Sequence, residues 1–509
     1  MKKQTFIQGT LIVIIVGMIV KILGLFNRML ISRLLTDEGV GIYQMVMPTY
    51  LLLITLAQLG FPVAISKLIS ENNINQKHQN RAIVLNAVKI SIINSAILII
   101  ILLLTAKFLS IHLLNDKRTY LPLLALIIFI PLVSFTSILR GYLQGYSNMS
   151  IPSYSQLVEQ IIRIISCVVL IILLLPISVE MAVVGVVISL SIGELSSLVY
   201  MLYKIKNKRP WSTFLFHRNK ETIDDNLTKD ILSISIPTTG SRLIGSIAHF
   251  FEPIIFSLAL VSIGYSNLEV TTTYGQITGY TMNLLLVPSF FSFALSQPLI
   301  PTISEAYAQR NQVKISHYFN LSVFLSFIIG LLFTVIVSLY PKELMKLFFN
   351  TTEGTRFLTY MAPLFLIYYF QQPITSTLHA INKTKHAVMS TLIGSFIKLS
   401  LIYILTSRTA INVHGLTIAI IVSIYFVTLY DYYLLCKNIK VNYNLRTIIH
   451  CILLGTFTII LGLLFKKVNL PVYLSILLLS LTYIGILQAL NIGDFQKIKG
   501  QLFNRPHNK

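Results

Sequence analysis

Runs of about twenty apolar residues recur along the whole chain, and this recurrence leaves little choice of fold. A helix rising 1.5 Å per residue needs about 20 such residues to cross the hydrocarbon core of a bilayer. In lipid each backbone N–H and C=O must be satisfied within the spanning segment or a closed barrel, so long uninterrupted runs mean helices. About fourteen runs are present, over residues 5–26, 41–62, 83–105, 119–140, 153–175, 181–203, 230–260, 275–300, 317–340, 357–380, 386–406, 414–436, 446–465 and 470–490. Composition agrees: 55% of the 509 residues are hydrophobic and 11% charged, where a soluble domain carries about 25% charged residues. The expected fold is an all-α integral membrane protein of about 14 transmembrane helices. Pro237, Gly240, Pro253 and Pro288 mark the runs 230–260 and 275–300 as broken or bent. The first run follows Met1-Lys2-Lys3, lacks a small-residue cleavage site and contains Lys21. It is expected to be an uncleaved spanning helix.

The net charge of +22 does not imply nucleic acid, because the basic residues are scattered through short loops and form no contiguous patch. They orient the chain instead. With the N-terminus inside, one set of loops holds 24 Lys and Arg, including Lys67, Arg140, Lys204, Lys383, Lys385 and Lys437, and the opposite set 11, including Arg28, Arg33 and Arg118. Both termini are therefore expected in the cytoplasm, the membrane being a bacterial plasma membrane. The outward loops are too short for an external catalytic domain. Five domains follow: a six-helix lobe over 1–203, a basic cytoplasmic linker over 204–229, a second six-helix lobe over 230–440, a helix pair over 441–495, and a cytoplasmic tail over 496–509. The two lobes resemble each other. Leu143 to Ile164 lies on Leu378 to Leu399 at a constant offset of 235, matching Ser155 to Ser390 and Arg163 to Lys398. Pro62–Ile65 faces Pro298–Pro301 at offset 236. An even number of spans per lobe makes the repeat parallel, an arrangement that places a substrate site between the halves near the midplane.

The remaining five cations, Lys21, Lys89, Arg163, Arg242 and Lys398, fall within spans. Each costs about 2.5–3.5 kcal/mol at a helix centre facing lipid, so they are expected to face a water-filled cavity or to be paired. Arg242 lies about 18 Å into its span, Lys398 similarly deep, and Arg163 about 15 Å. Alternatives stand beside the functional reading. Glu159, four residues before Arg163, offers an intrahelical salt bridge. Lys89 can snorkel to the cytoplasmic surface. Glu252, in Phe250-Phe251-Glu252-Pro253, is either a coupling-ion or proton site or the partner of Arg242. The substrate-binding set is Lys21, Asn27, Arg28, Arg163, Arg242 and Lys398. Glu194 and Asp431 are further acids in or at the ends of spans. There is no GxxxxGK[ST] and no HExxH; Cys167, Cys436 and Cys451 show no zinc spacing. No cofactor, no metal and no enzymatic activity are expected.

Several stretches point to a family: Lys3-Gln4-Thr5-Phe6 with Gly9-Thr10-Leu11-Ile12, Glu38-Gly39-Val40-Gly41-Ile42-Tyr43, Pro62-Val63-Ala64-Ile65-Ser66-Lys67-Leu68, and Leu139-Arg140-Gly141-Tyr142 with Gln144-Gly145. Gly193-Glu194-Leu195, Pro237-Thr238-Thr239-Gly240-Ser241-Arg242, Phe250-Phe251-Glu252-Pro253-Ile254 and Tyr368-Tyr369-Phe370-Gln371 follow in order. Through them the chain resembles, over nearly its whole length, the stage V sporulation protein B family. That family sits in the multidrug, oligosaccharidyl-lipid and polysaccharide exporter superfamily, with the lipid II flippases. The resemblance implies two six-helix lobes plus a C-terminal pair, a cavity opening alternately to either side, and an undecaprenyl-linked sugar substrate, here a peptidoglycan precursor for the spore cortex. It also implies a groove by the last two helices for the lipid tail. Flippases of the Gram-negative type carry cavity arginines in spans two and eight, where this chain has Leu52 and Asn283. Lys21, Arg28 and Arg33 match the first-span basic run in kind.

The leading expectation is a flippase for a lipid-linked anionic sugar, with membrane lipid and envelope-synthesis proteins as partners and no nucleic acid. The alternatives are a multidrug exporter of the same superfamily, which needs acids for cationic drugs, and a non-transporting structural protein of envelope assembly.

Overall fold

The computed structural model describes residues 6–74, 80–206, 225–439, 445–468 and 470–489, and among these no strand forms. The basic linker lies largely outside them, and the tail wholly so. Each of the fourteen runs has become a helix or a helix pair. Nine of the helices match one run each: α1 (Phe6–Leu34), α4 (Asn80–Phe108), α5 (Tyr120–Gly145), α6 (Ser150–Leu174), α7 (Val179–Lys206), α8 (Asp225–Ser262), α12 (Gln312–Leu339), α16 (Thr384–Thr406) and α17 (His414–Asn438). So do α18 (Leu445–Lys467) and α19 (Val472–Ala489) at the C-terminus. The second run is α2 (Asp37–Gln58), which continues past a turn at Leu59 and Gly60 into α3 (Phe61–Ile74). Twelve segments are long and apolar enough to cross alone.

The two proline-rich runs behave differently from each other. Residues 275–300 are interrupted as expected: α9 (Asn267–Tyr274), a π-helical turn (Gly275–Thr281) and α10 (Met282–Leu285) are followed, after a break at Leu286–Pro288, by α11 (Ser289–Ala308). Residues 230–260 are not broken. α8 runs through both Pro237 and Pro253 for 38 residues. Around Pro237 the hydroxyls of Thr238 and Thr239 donate to the carbonyls of Ile234 and Ser235, at 2.7 and 2.8 Å. They reinforce the turn that a missing N–H weakens. After the short α13 (Pro341–Phe349), the run 357–380 is divided into α14 (Thr355–Phe365) and α15 (Tyr368–Ala380), with Pro363 and Pro373 inside them.

The helices are inside-out relative to soluble ones. Along α4 the buried stripe contains Asn86, Ala87, Ser91 and Ser95, whereas Ile93, Ile97, Ile100 and Leu104 point outward. Small polar residues inside allow close approach and interhelical bonding: Ser91 meets Ser134 of α5 at 2.7 Å, and Asn94 donates to the Leu56 carbonyl of α2 at 3.0 Å.

The chain gathers into two units, Met1–Asn283 with Ser395–Ala419, and Leu284–Gly394 with Ile420–Lys509. The core of the first contains Phe61, Ile65, Leu139, Leu143, Met201 and Ile231; that of the second contains Leu299, Ile303, Phe319, Leu378 and Leu435. In the second unit α18 and α19 lean on α12 through Cys451, Leu454, Tyr483 and Leu487, and the Tyr483 hydroxyl donates to the Ile328 carbonyl at 2.9 Å.

The internal repeat is written in the backbone. The turn after α5 places Ser147 at φ 56°, and the turn after α15 places Asn382 at φ 62°, at the same offset of 235. Asn148 N–H closes on the Leu143 carbonyl at 3.0 Å, as Lys383 N–H closes on Leu378 at 2.8 Å. Both are the six-to-one bond of a Schellman closure. Ser155 and Ser390 repeat the same side-chain bond three residues back, to Pro152 and Ala387.

One close contact in the first unit depends on glycine. A Cβ on Gly41 of α2 would strike the Thr271 carbonyl, and one on Gly275 would come within 2.7 Å of the Gly41 Cα. The two backbones touch. Gly41→Val is expected to force α2 from the π-helical turn and destabilise the protein by about 1–3 kcal/mol, the range for overpacking. Unfolding of the purified protein by titrated denaturing detergent measures this; unchanged stability would contradict the contact.

Candidate functional site

Every residue of the expected binding set lies in the first unit. The structure sorts them into three groups by what neutralises them.

The first is a buried network on α5, α6 and α7. Arg140 Nη2 lies 2.8 Å from Glu159 Oε2 and 3.4 Å from Glu194 Oε1. Arg163 pairs with Glu159 one turn away, as the i−4 spacing offered. Thr136 donates to Glu194. Two guanidiniums thus balance two carboxylates, which is how charge is retained away from water. Close helix packing builds the network. Gly185, Ser189, Gly193 and Ser197 form a stripe of small residues on α7, and a Cβ on Gly193 would come 3.0 Å from the Cβ of Arg163. Arg140, a loop cation by sequence, lies inside α5 instead, with its side chain 15% exposed. Its signal was charge balance: Glu159 and Glu194 both sit in spans, and Arg163 alone neutralises only one.

The second group centres on Glu252 of α8. Lys398 Nζ of α16 lies 2.6 Å from its Oε2, and the Tyr274 hydroxyl donates to Oε1 at 3.5 Å. His249 Nδ1, one turn back, is 3.9 Å away. The partner of Glu252 is therefore Lys398, not Arg242. Sequence spacing misses this because the two residues lie 146 positions apart.

The third group lies on α1 and α8. Arg242 falls near the middle of α8, about 26 Å from its first residue, and is exposed. Among the described residues neither Arg242 nor Arg28 forms an ion pair. On α1, Lys21 is half-buried, Arg28 exposed and Asn27 buried, with the Asn27 Oδ1 lacking a hydrogen-bond partner. Gly24 brings α1 close to α6, where a Cβ would lie 3.9 Å from Gln160 Nε2. Lys89 is exposed. At the aligned positions that lack arginine, Leu52 is half-buried, and Asn283 is buried, donating to the Gly279 carbonyl at 2.6 Å.

A further polar cluster joins the N-terminal end of α2 to the segments around it. Arg118 bridges Glu38 at 2.9 Å and Asp116 at 2.7 Å. Thr271 donates to Asp116 at 2.8 Å, and Tyr280 to Asp37 at 2.5 Å. This ties α2 to α9 and to the turn after it at the end whose loops carry the fewer cations.

These helices match known proteins in sequence and in fold. The family model described as "Polysaccharide biosynthesis protein" matches residues 6–307, and the one described as "MatE" matches 253–404. Stage V sporulation protein B of Bacillus subtilis (strain 168) is 36% identical over 447 residues, covering 88% of this chain and 86% of that protein. Lipid II flippase MurJ of the same organism is 26% identical over 416 residues, covering 78% and 76%. Among solved structures, "Lipid II flippase MurJ, inward closed conformation" superposes with a TM-score of 0.71 at 16% identity, covering 94% of this chain and 98% of that one. The last comparison speaks for the fold alone. Together with the apolar helices, they make this a multi-pass membrane protein with the transporter fold of its superfamily, and the chain belongs to the stage V sporulation protein B family of polysaccharide biosynthesis proteins.

Proposed function

We propose that this protein is a flippase that carries an undecaprenyl-pyrophosphate-linked cell-wall precursor, of the lipid II class, from the cytoplasmic to the outer leaflet by alternating access. The carrying observation is the pair Arg28 of α1 and Arg242 of α8, neither in an ion pair among the described residues. The buried acids of the two networks are taken: Glu159 and Glu194 by Arg140 and Arg163, and Glu252 by Lys398. Arg28 and Arg242 have no ion pair among the described residues and can meet a pyrophosphate, the anion that a guanidinium fork fits. The similarity to a lipid II flippase supports the same substrate class. An exporter of cationic drugs would need the reverse arrangement, with acids free and cations paired.

In this reading Arg28 and Arg242, with Lys21 and Asn27 beside them on α1, contact the substrate. Arg163 and Lys398 join only when Glu159 and Glu252 release them, and release of Glu252 would free it for a coupling ion or proton. Both termini lie in the cytoplasm of a bacterial plasma membrane, and a forespore-surrounding membrane is the site if the organism sporulates. Membrane lipid and envelope-synthesis proteins are the partners.

The test is transport of fluorescent lipid II in proteoliposomes beside efflux of a cationic dye. Lipid II flipping without dye transport is expected. An inside-negative potential favours expulsion of the anion by about 2.3 kcal/mol per charge per 100 mV, so the rate should follow an imposed potential and ignore ATP. Dye efflux without flipping would replace this function with drug export; neither activity would point to a structural role.

A further inference from the structure

Five cations gather at one end of the second unit. α13 lies at that end with Leu344, Met345 and Phe349 buried and Lys342, Lys346 and Leu347 exposed. Arg356, also exposed, sits in the first turn of α14 and stacks over the Phe357 ring at 4.5 Å. α18 ends there on Lys466 and Lys467, both exposed. The seam between them is fixed. Lys466 Nζ donates to the Leu339 carbonyl at 3.2 Å, and the Tyr340 hydroxyl to the Gly462 carbonyl at 3.3 Å. A Cβ on Gly462 would strike the Leu339 side chain.

Neither chain orientation nor helix electrostatics accounts for this set. It lies at the end whose loops carry the fewer cations, and holds five of their 11, against the bias that orients the chain. The negative end of a helix dipole attracts cations, which covers Lys346, Lys466 and Lys467 in the last turns of α13 and α18. Lys342 and Arg356 lie instead in the first turns of α13 and α14, where the dipole repels them. Two acids, Glu343 and Glu353, share the segment. Among the described residues none of the five cations forms an ion pair. Exposed apolar side chains accompany them: Leu347 beside Lys346, Val468 beside Lys467, and Tyr473 at the start of α19, 72% exposed. A short amphipathic helix with lysines on its open face, and a tyrosine at the same end, is the pattern of the headgroup level of a bilayer.

We propose that this end of the second unit is a docking surface for anionic phospholipid, whose phosphodiester headgroups lie on Lys342, Lys346, Arg356, Lys466 and Lys467 while α13 rests along the bilayer surface. Ammonium groups on flexible stems meet singly charged phosphates as point charges. Exposed cations on three separate helix ends suit several such headgroups rather than one compact pyrophosphate. The surface belongs to the second unit and uses none of the residues assigned to the transported substrate.

The experiment reads which lipid lies beside α13 and requires no transport, so its outcome is independent of the flippase reading. Leu347→Cys carries a bimane label in full-length protein with Cys436→Ser, because Cys436 is the exposed native thiol. The protein is reconstituted into phosphatidylcholine–phosphatidylglycerol vesicles in which one lipid or the other has brominated, quenching acyl chains. At equal mole fraction, brominated phosphatidylglycerol is expected to quench about twofold more than brominated phosphatidylcholine. The preference should fall toward parity in Lys342→Gln/Lys346→Gln/Lys467→Gln, which leaves the Lys466 bond to Leu339 in place, and in concentrated KCl, which screens exposed charges. A label at Ile97, outward on α4, should show parity throughout. Parity at position 347, or an unchanged preference in the triple variant, would overturn the surface. Should that variant fail to accumulate, a preference that survives concentrated KCl overturns it equally. Loss of the preference on adding a little undecaprenyl pyrophosphate would assign the surface to the substrate's anion instead and overturn the phospholipid.

Discussion

Arg242→Ala is expected to reduce lipid II flipping on the order of 100-fold while leaving the protein's accumulation in the membrane unchanged. Arg242 is exposed near the middle of α8 and has no ion pair among the described residues, so its removal strands no buried acid and disturbs no packing. What disappears is a contact to the substrate. Loss of one charged partner from a desolvated charge pair costs about 2–5 kcal/mol, and each 1.4 kcal/mol is a factor of ten. Arg242→Lys separates two forms of that contact: it keeps part of the activity if a point charge is enough, and little if the bidentate fork is required. Initial flipping rates in proteoliposomes, normalised to inserted protein, give the answer. Full activity of the alanine variant would transfer the role to Lys21 and Arg28.

Arg140→Ala is expected to have the opposite profile, a stability defect of about 3–5 kcal/mol, the range for breaking a buried ion pair from one side. It leaves Glu194, 2% exposed, with Thr136 as donor and no adjacent cation, because Arg163 remains on Glu159. Adding Glu194→Gln removes the stranded charge, so the double variant should recover a substantial part of the loss. Unfolding in titrated denaturing detergent reads both. A single variant as stable as the wild type, or a double variant worse than the sum of the two, would show that the network does not hold α5 to α7.

Hydrophobic length made the membrane helices legible, since a run of about twenty apolar residues has few other uses. The parallel repeat was legible too. The offset of 235 reappears as matching αL residues, Ser147 and Asn382, in matching turns. Within the candidate site, the i−4 pair of Arg163 and Glu159 was visible, because helix geometry alone brings such residues together. The prolines of α8 do not interrupt it, and the hydroxyl bonds of Thr238 and Thr239 beside Pro237 are contacts that propensity does not describe.

The sequence by itself therefore determined the solvent of this protein, the order of its apolar helices and the repeat between its halves. All of these follow from local composition or from spacing along one helix. Only the tertiary structure decided which charges neutralise which. Arg140 left the loops to join Glu159 and Glu194, and Lys398 took Glu252 from Arg242. Those outcomes rest on contacts between helices up to 146 residues apart. In a low-dielectric interior an ångström of separation decides whether a charge is balanced, and no periodicity along the chain encodes that distance.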